Sequence, residues 1–219
     1  TTGRKGDKFG ISSIEEILEL SKFSANSKNL NLVGLACHIG SQILDLDGYM
    51  ESANKIFDLS NKLSEEGIQL DFLDLGGGLG VAYEDEVPPL PIELISALEE
   101  KFIGRRERLI LEPGRSISAN TGVLLAKVEY IKDNFLIVDA AMNDLLRPAL
   151  YKATHGVSNL KEKKENTRNW NIVGPVCESS DFLAKNVFIE AEEGDYIAIK
   201  NAGAYGFVMA SNYNSRPRA

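Results

Sequence analysis

Two periods of hydrophobicity alternate along the first half of this chain. Ile14, Ile17 and Leu18, with Ser21, recur at helical spacing, and Ser13 with Glu16 three positions on reads as a capping box at the start of that helix. Tyr49, Met50, Ala53, Ile56, Phe57, Ser60 and Leu63 mark the buried face of a second helix, with Gly67 where a C-cap is expected. Pro91 suits the first turn of a third helix, continued by Ile92, Ile95, Leu98 and Phe102. Short apolar runs lie between these helices, at 9–11, 30–37, 70–75 and 109–111. Unbroken apolar runs of this length are expected of parallel strands buried on both faces. The predicted strands end near residues 11, 37, 75 and 111, and the last two intervals, 38 and 36 residues, each hold one strand–loop–helix–loop unit.

Beyond residue 118 the texture changes. Short β runs at 123–125, 135–138, 172–173, 187–189, 196–199 and 207–209 replace the long helical periodicity. The predicted organisation is therefore an α/β unit over 1–118 and a mainly antiparallel β domain over 119–219. Residues 161–168, Lys-Glu-Lys-Lys-Glu-Asn-Thr-Arg, read as a solvated charged loop.

The 219 residues are long enough to bury a real core, and 24 basic against 32 acidic residues give a net charge of −8. That balance argues against a nucleic-acid or anionic-membrane binder, whose surface must be basic. No apolar run approaches the length of a membrane span, and no charged-then-apolar leader opens the chain. Two cysteines, Cys37 and Cys177, cannot form a disulfide framework and suggest a reducing, cytoplasmic compartment. With two histidines at unrelated spacings, no metal site is expected.

The candidate chemistry sits where the predicted strands end, the face at which α/β folds bind ligands. Gly76-Gly77-Gly78-Leu79-Gly80 follows one strand, and four glycines in five positions let backbone N–H groups reach an anion without side-chain obstruction. The same glycines also suit a plain tight turn. Glu112-Pro113-Gly114-Arg115 follows the next strand, as part of an anion cradle shared with Gly77 to Gly80 or as a surface Glu–Arg pair. His38, before Gly40 and Ser41, is open to a structural or a functional role. His155 reads as a loop residue, and Cys37 as core. Cys177-Glu178-Ser179-Ser180-Asp181 follows a Gly174-Pro175 turn and reads either as reactive or as a capped turn with a buried thiol.

Six segments taken together resemble the diaminopimelate decarboxylase family. They are Cys-His-Ile-Gly-Ser-Gln at 37–42, Leu-Asp-Leu-Gly-Gly-Gly-Leu-Gly at 73–80, Glu-Pro-Gly-Arg-Ser-Ile at 112–117, Asp-Ala-Ala-Met-Asn-Asp-Leu-Leu-Arg-Pro-Ala-Leu-Tyr at 139–151, Gly-Pro-Val-Cys-Glu-Ser-Ser-Asp at 174–181, and the run from Gly203 to Arg218. The resemblance implies part of a (β/α)8 TIM-type barrel, its later strands, followed by a β domain truncated at its end. The run at 9–11 corresponds to the family's fifth barrel strand. The family decarboxylates meso-2,6-diaminopimelate to lysine with pyridoxal 5′-phosphate, whose phosphate and pyridine ring the barrel holds.

Carried over residue by residue, the resemblance gives His38 a place stacked on the pyridine ring. Ser41, Gly77, Gly78, Gly114 and Arg115 hold the phosphate, and Glu112 keeps the pyridine nitrogen protonated. Arg115, Arg147 and Tyr151 bind a substrate carboxylate, a task suited to a planar guanidinium. Cys177 enters the site beside the reacting carbon and Glu178 at the distal amino-acid end, both across a homodimer interface. Tyr205 closes over phosphate and substrate. The family's cofactor-bearing lysine, in a Tyr-Ala-x-Lys-Ala-Asn-like context, has no counterpart here. The chain thus reads as a fragment of a longer enzyme and is expected to be inactive alone. Related decarboxylases of ornithine, arginine or carboxynorspermidine, and a non-catalytic protein that binds a phosphate compound, are the competing readings.

Overall fold

The computed structural model describes residue 6, residues 8–161 and residues 167–219. Two compact units emerge: Thr1–Val81 with Val87–Ser116, and Ala82–Glu86 with Ile117–Ala219. The excursion of 82–86 into the second unit leaves no mark in the hydrophobic pattern.

The first unit is a parallel three-stranded sheet with helices. In chain order its elements are α1 (Ile14–Ala25), β1 (Gly34–Ala36), α2 (Asp47–Glu65), β2 (Phe72–Asp74), α3 (Pro91–Phe102) and β3 (Arg108–Ile110). The strands lie side by side in that order, with Leu35 beside Leu73 and Leu73 beside Leu109. Tyr49, Ala53, Ile56 and Leu63 of α2 and Leu94 and Leu98 of α3 bury their shared face with Leu73 and Leu75. Ser60 is a polar member of that face, and its hydroxyl donates to the Glu107 carboxylate, which Arg105 also holds.

The helix ends follow the sequence signals. Ser13 Oγ accepts the Glu16 N–H at 3.3 Å, but Ser13 donates to Glu15, so half of the expected capping box forms. Gly67 takes the left-handed conformation, φ +82°, and the Ile68 N–H closes on the Leu63 carbonyl at 2.9 Å, a Schellman-type stop. Pro91 occupies the first turn of α3, where the Glu93 carboxylate accepts the Leu90 N–H at 2.6 Å.

One expected strand does not form. Residues 8–10 are bends, and Phe9 and Ile11 are exposed. A strand exists through its ladder partner, and among the described residues only β2 pairs with β1. An apolar run without a neighbouring edge has nothing to align it.

The second unit is a six-stranded sheet in the order β6-β9-β4-β5-β7-β8. Its strands are β4 (Leu124–Lys132), β5 (Phe135–Val138), β6 (Val157–Asn159), β7 (Arg168–Val173), β8 (Phe182–Ile189) and β9 (Tyr196–Ile199). Only β5 and β7 pair in parallel; the other pairs are antiparallel. Two short α-helices follow among the described residues, α4 (Arg115–Ser118), within which the chain passes from the first unit to the second, and α5 (Arg147–Tyr151) in the second. The core gathers Val128, Leu136, Trp170, Ile172, Leu183, Ile197 and Ile199, and Trp170 Nε1 donates to the Ile189 carbonyl at 3.0 Å.

The run at 207–209 is a 3₁₀ turn and not a strand. Met209 and Ala210 donate back to Gly206 and Phe207, so its backbone is satisfied locally and needs no ladder. Of the charged stretch, residues 162–166 lie outside the described residues. Its described flanks, Lys161, Thr167 and Arg168, are exposed; Lys161 pairs with Asp195 at 3.2 Å, and the Arg168 guanidinium lies 3.8 Å from the centre of the Trp170 ring.

Asp181 ties the second unit together. Its two buried carboxylate oxygens accept the N–H groups of Met142 at 2.6 Å and Val176 at 2.9 Å. Asp181→Ala strands both amides and is expected to cost roughly 2 kcal/mol or more in chemical denaturation; an unchanged midpoint would contradict this account of the carboxylate.

Candidate active site

In the first unit the three polar motifs meet at the carboxyl ends of the strands. Beyond β1 the Cys37 N–H donates to the Asp74 carbonyl, beyond β2 the Leu75 N–H donates to Ile110, and beyond β3 the Glu112 N–H donates to Gly76 at 2.9 Å. The ladder thus continues into the loops and brings His38, Ser41, the glycine run and Glu112 to Arg115 to one end of the sheet.

The glycines are steric requirements of that approach. A Cβ on Gly76 would collide with the Cys37 carbonyl, one on Gly77 with the Glu112 carbonyl, and one on Gly78 with the Gly40 carbonyl. Gly76 and Gly78 also have positive φ, at +69° and +106°. Farther on, Ile43 and Leu79 form a parallel bridge in which the Gly80 N–H donates to Ile43 at 2.9 Å. Gly80 therefore drops out of the expected anion cradle, because its donor is spent on the backbone. The N–H groups of Gly77 and Gly78 have no protein acceptor among the described residues.

Side chains the sequence reading did not single out hold this arrangement. Asp74 accepts the Gly76 N–H at 2.8 Å. Tyr49, buried on α2, donates from its hydroxyl to the Gly77 carbonyl at 3.0 Å. Burial pushes the Tyr49 phenol from 10.0 up to about 12, so it remains a donor through the neutral range. Gln42 bonds both the N–H and the carbonyl of Val81 and accepts from Arg115 at 3.2 Å. Only its position directly after Ser41 could have pointed to it. His38, Glu112 and Gly114 are exposed and Ser41 half-buried. Cys37 contacts Ser52 at 3.1 Å, and burial pushes its thiol up, as befits an inert side chain.

In the second unit Arg147 is buried and Tyr151 exposed, at the two ends of α5. Cys177 and Glu178 stand on an exposed turn, so the thiol is not the buried one of the capped-turn reading. Tyr213 donates to the Glu178 carboxylate, which holds the Tyr213 phenol above its ordinary value. Tyr205 is half-exposed at φ +58°, a left-handed conformation rare for an aromatic residue and a mark of a constrained loop. His155 is a loop residue in conformation only. It is 4% exposed and bonded to Arg147, and the lone histidine in a polar stretch gave no sign of this.

The family model described as "Pyridoxal-dependent decarboxylase, pyridoxal binding domain" matches residues 1–119. The chain belongs to the pyridoxal-dependent decarboxylases. Its relatives include the diaminopimelate decarboxylases of Pseudomonas aeruginosa, 48% identical over the whole chain and 54% of the relative, and of Neisseria meningitidis serogroup B, 49% identical over the whole chain and again 54% of the relative. Among solved structures it is similar to Helicobacter pylori diaminopimelate decarboxylase complexed with L-lysine, with a TM-score of 0.93 and 43% identity over 99% of this chain and 55% of that one. The Vibrio vulnificus lysine/ornithine decarboxylase complexed with cadaverine has a TM-score of 0.85 at 25% identity, over 97% of this chain and 59% of that one. The chain spans about half the length of the curated relatives it matches. The likeness bears out the α/β class, with part of a barrel followed by a mainly antiparallel β domain.

The residues at the strand ends of the first unit fit pyridoxal phosphate, the group that the family's name carries. The loop that carries the Gly77 and Gly78 amides packs against the Glu112 backbone, Glu112 is exposed, and a Cβ on Gly114 would meet nothing within 4 Å. The segments 37–44, 75–81 and 111–116 contain no lysine.

Tyr49→Phe removes the hydroxyl that fixes the Gly77 carbonyl and is expected to cost about 1 kcal/mol at neutral pH. Because the folded phenol titrates above the unfolded one, its contribution is whole below pH 10 and is lost as pH rises toward 12. Denaturant melts of the two proteins should converge across that window; a gap independent of pH would contradict the assignment.

Proposed function

We propose that this chain is part of a diaminopimelate decarboxylase, a cytoplasmic homodimeric enzyme that uses pyridoxal 5′-phosphate to release CO2 from meso-2,6-diaminopimelate and leave L-lysine. The observation that carries the reading is identity of 48–49% along the whole chain to relatives so named. The strand-end geometry supports it. Among the described residues no helix is long and apolar enough to cross a membrane.

Bound pyridoxal phosphate supplies an electron sink at the carbon that loses CO2. The chain's own residues hold and orient. Gly77 and Gly78, with Ser41, Gly114 and Arg115, take the phosphate. His38 would cover one face of the bound ring, and Glu112 would hold the proton at its pyridine nitrogen. Arg115, Arg147 and Tyr151 bind substrate carboxylate. Glu178 takes the distal ammonium, already with Tyr213 as a donor to its carboxylate. Cys177 Sγ would hold the proton that the reacting carbon takes up after CO2 leaves, and would be left as the thiolate. Tyr205 closes over the site. A substrate with an amino-acid head at each end needs both a cationic and an anionic group distally, which Arg147 and Glu178 supply.

The 25%-identical lysine/ornithine decarboxylase keeps a second substrate class in view. The full-length protein reconstituted with pyridoxal phosphate should release CO2 from meso-diaminopimelate at least roughly a hundredfold more efficiently than from ornithine or arginine, since a site built for the extra carboxylate is left unpaired without it. A preference for ornithine would overturn the assignment. In mixed dimers, Cys177→Ala subunits combined with subunits lacking the cofactor-bearing lysine should regain about one quarter of wild-type activity, because half the dimers are mixed and each holds one intact site. Inactive heterodimers would refute sharing across the interface.

A further inference from the structure

In the second unit, the turn that carries Glu178 and the segment that carries Tyr213 are fastened to one loop, residues 141–144. Asp181 closes the turn and accepts the Met142 amide at 2.6 Å. Within the turn the Asp181 N–H returns to the Glu178 carbonyl at 3.1 Å, and the Glu178 N–H to the Val176 carbonyl at 2.8 Å. The Tyr213 segment is tied at both ends to Asn143, which is 2% exposed. The Ser211 N–H donates to the Asn143 carbonyl at 2.9 Å, and Arg216 Nε donates to the Asn143 side-chain oxygen at 3.0 Å. Between those ties Asn212 Nδ2 donates to the Arg216 carbonyl at 2.9 Å, and Asn214 and Ser215 hold left-handed φ of +58° and +57°. Residues with a Cβ keep such backbone only where their surroundings determine it. Where the two fastened pieces meet, the Tyr213 hydroxyl donates to the Glu178 carboxylate.

The pairing has a chemical consequence. Glu178 is exposed, and an exposed glutamate spreads over several rotamers that it gives up when a ligand binds. A donor on a constrained segment removes that freedom beforehand. The phenol occupies one lone-pair site of the carboxylate, which has about four, so an ammonium can still be accepted. The hydrogen bond to Glu178 and its negative charge hold the Tyr213 phenol above its ordinary value, so it remains a neutral donor. A neutral donor orients the carboxylate without adding a cation that would compete with an ammonium ligand.

We propose, on the reading of Glu178 as acceptor of the distal ammonium given above, that Tyr213 is a positioning residue. It fixes the Glu178 carboxylate for that ammonium and so sets the preference for a substrate with an amine at its distal end. It acts through Glu178 and not on the reacting atoms. Its effect belongs in KM and in discrimination between ligands, with little in kcat.

The test uses the full-length holoenzyme with meso-diaminopimelate as substrate. The second ligand is 2-aminopimelate, which keeps both carboxylates and lacks the distal amine, used as a competitive inhibitor. Tyr213→Phe removes only the hydroxyl and should raise KM about fivefold, with kcat changed less than about threefold. Its Ki for 2-aminopimelate should stay within about twofold of wild type, since that ligand offers Glu178 nothing to bind. Glu178→Gln is the reference and should raise KM about tenfold or more. Added to Glu178→Gln, Tyr213→Phe should change KM by less than about twofold, because the charge it aims is gone.

If Glu178→Gln raises KM while Tyr213→Phe does not, the positioning role is overturned and the reading of Glu178 stands. If Glu178→Gln leaves KM unchanged, both fail. A Tyr213→Phe effect that persists at full size beside Glu178→Gln, or that appears equally in the Ki of 2-aminopimelate, overturns the proposal, since the hydroxyl then acts elsewhere. Tyr213 is exposed and Phe keeps its ring, so the melting midpoint should not move. A fall in midpoint and kcat together makes Tyr213 purely structural and overturns the proposal as well.

Discussion

Everything in the first unit depends on how closely three backbones can approach where their strands end. Beyond β1, β2 and β3 the carbonyls of Cys37, Gly40 and Glu112 stand where side chains of residues 76–78 would otherwise project. Only residues without a Cβ allow that contact, so the glycine run is first a packing requirement. Its chemical usefulness follows from the same fact. With carbonyls turned toward neighbouring loops and held there by Tyr49 and by the Glu112 amide, the N–H groups of Gly77 and Gly78 are left without an acceptor among the described residues. An anion cradle is what remains when the carbonyl side of such a loop is already satisfied.

The second unit solves a different problem, that of burying charge. Asp181 is buried against two amide donors, and Arg147 against an imidazole and an aromatic face. Asn143 and Asp144 lie close to Arg216, whose Nε donates to Asn143 at 3.0 Å. In each case a polar group out of water has partners within hydrogen-bond reach, which burial demands. These networks draw on residues far apart in sequence, such as Tyr83, His155 and Lys200, which is why no local pattern announces them.

That contrast explains what could be read from the sequence. Helix positions and ends were legible because their causes are local: the Ser13 cap, Pro91 in a first turn, Gly67 at positive φ. Three parallel strands were legible as apolar runs. The run at 9–11 was misread because a strand needs a partner that composition does not encode, and 207–209 because a short apolar run can close its own turn. Within the candidate site, the residues that face outward were recognisable from motifs. The residues that hold them, Gln42, Tyr49, Asp74 and His155, were not, because each acts through a contact with a residue distant in the chain, or, for Asp74, through one backbone amide. Gly80 shows the opposite error: its motif placed it among the anion donors, while its N–H serves the bridge to Ile43.

On the proposed function, the Gly77 and Gly78 amides, which have no protein acceptor among the described residues, take the phosphate. A crystal structure of the full-length protein with pyridoxal phosphate measures it directly. Phosphate oxygens should lie within about 3.2 Å of the Gly77 and Gly78 amide nitrogens, with the Gly80 N–H still on Ile43 and the Glu112 carboxylate beside the pyridine nitrogen. A phosphate bound away from this loop, or one that captures the Gly80 amide by breaking the Ile43 bridge, would contradict the account.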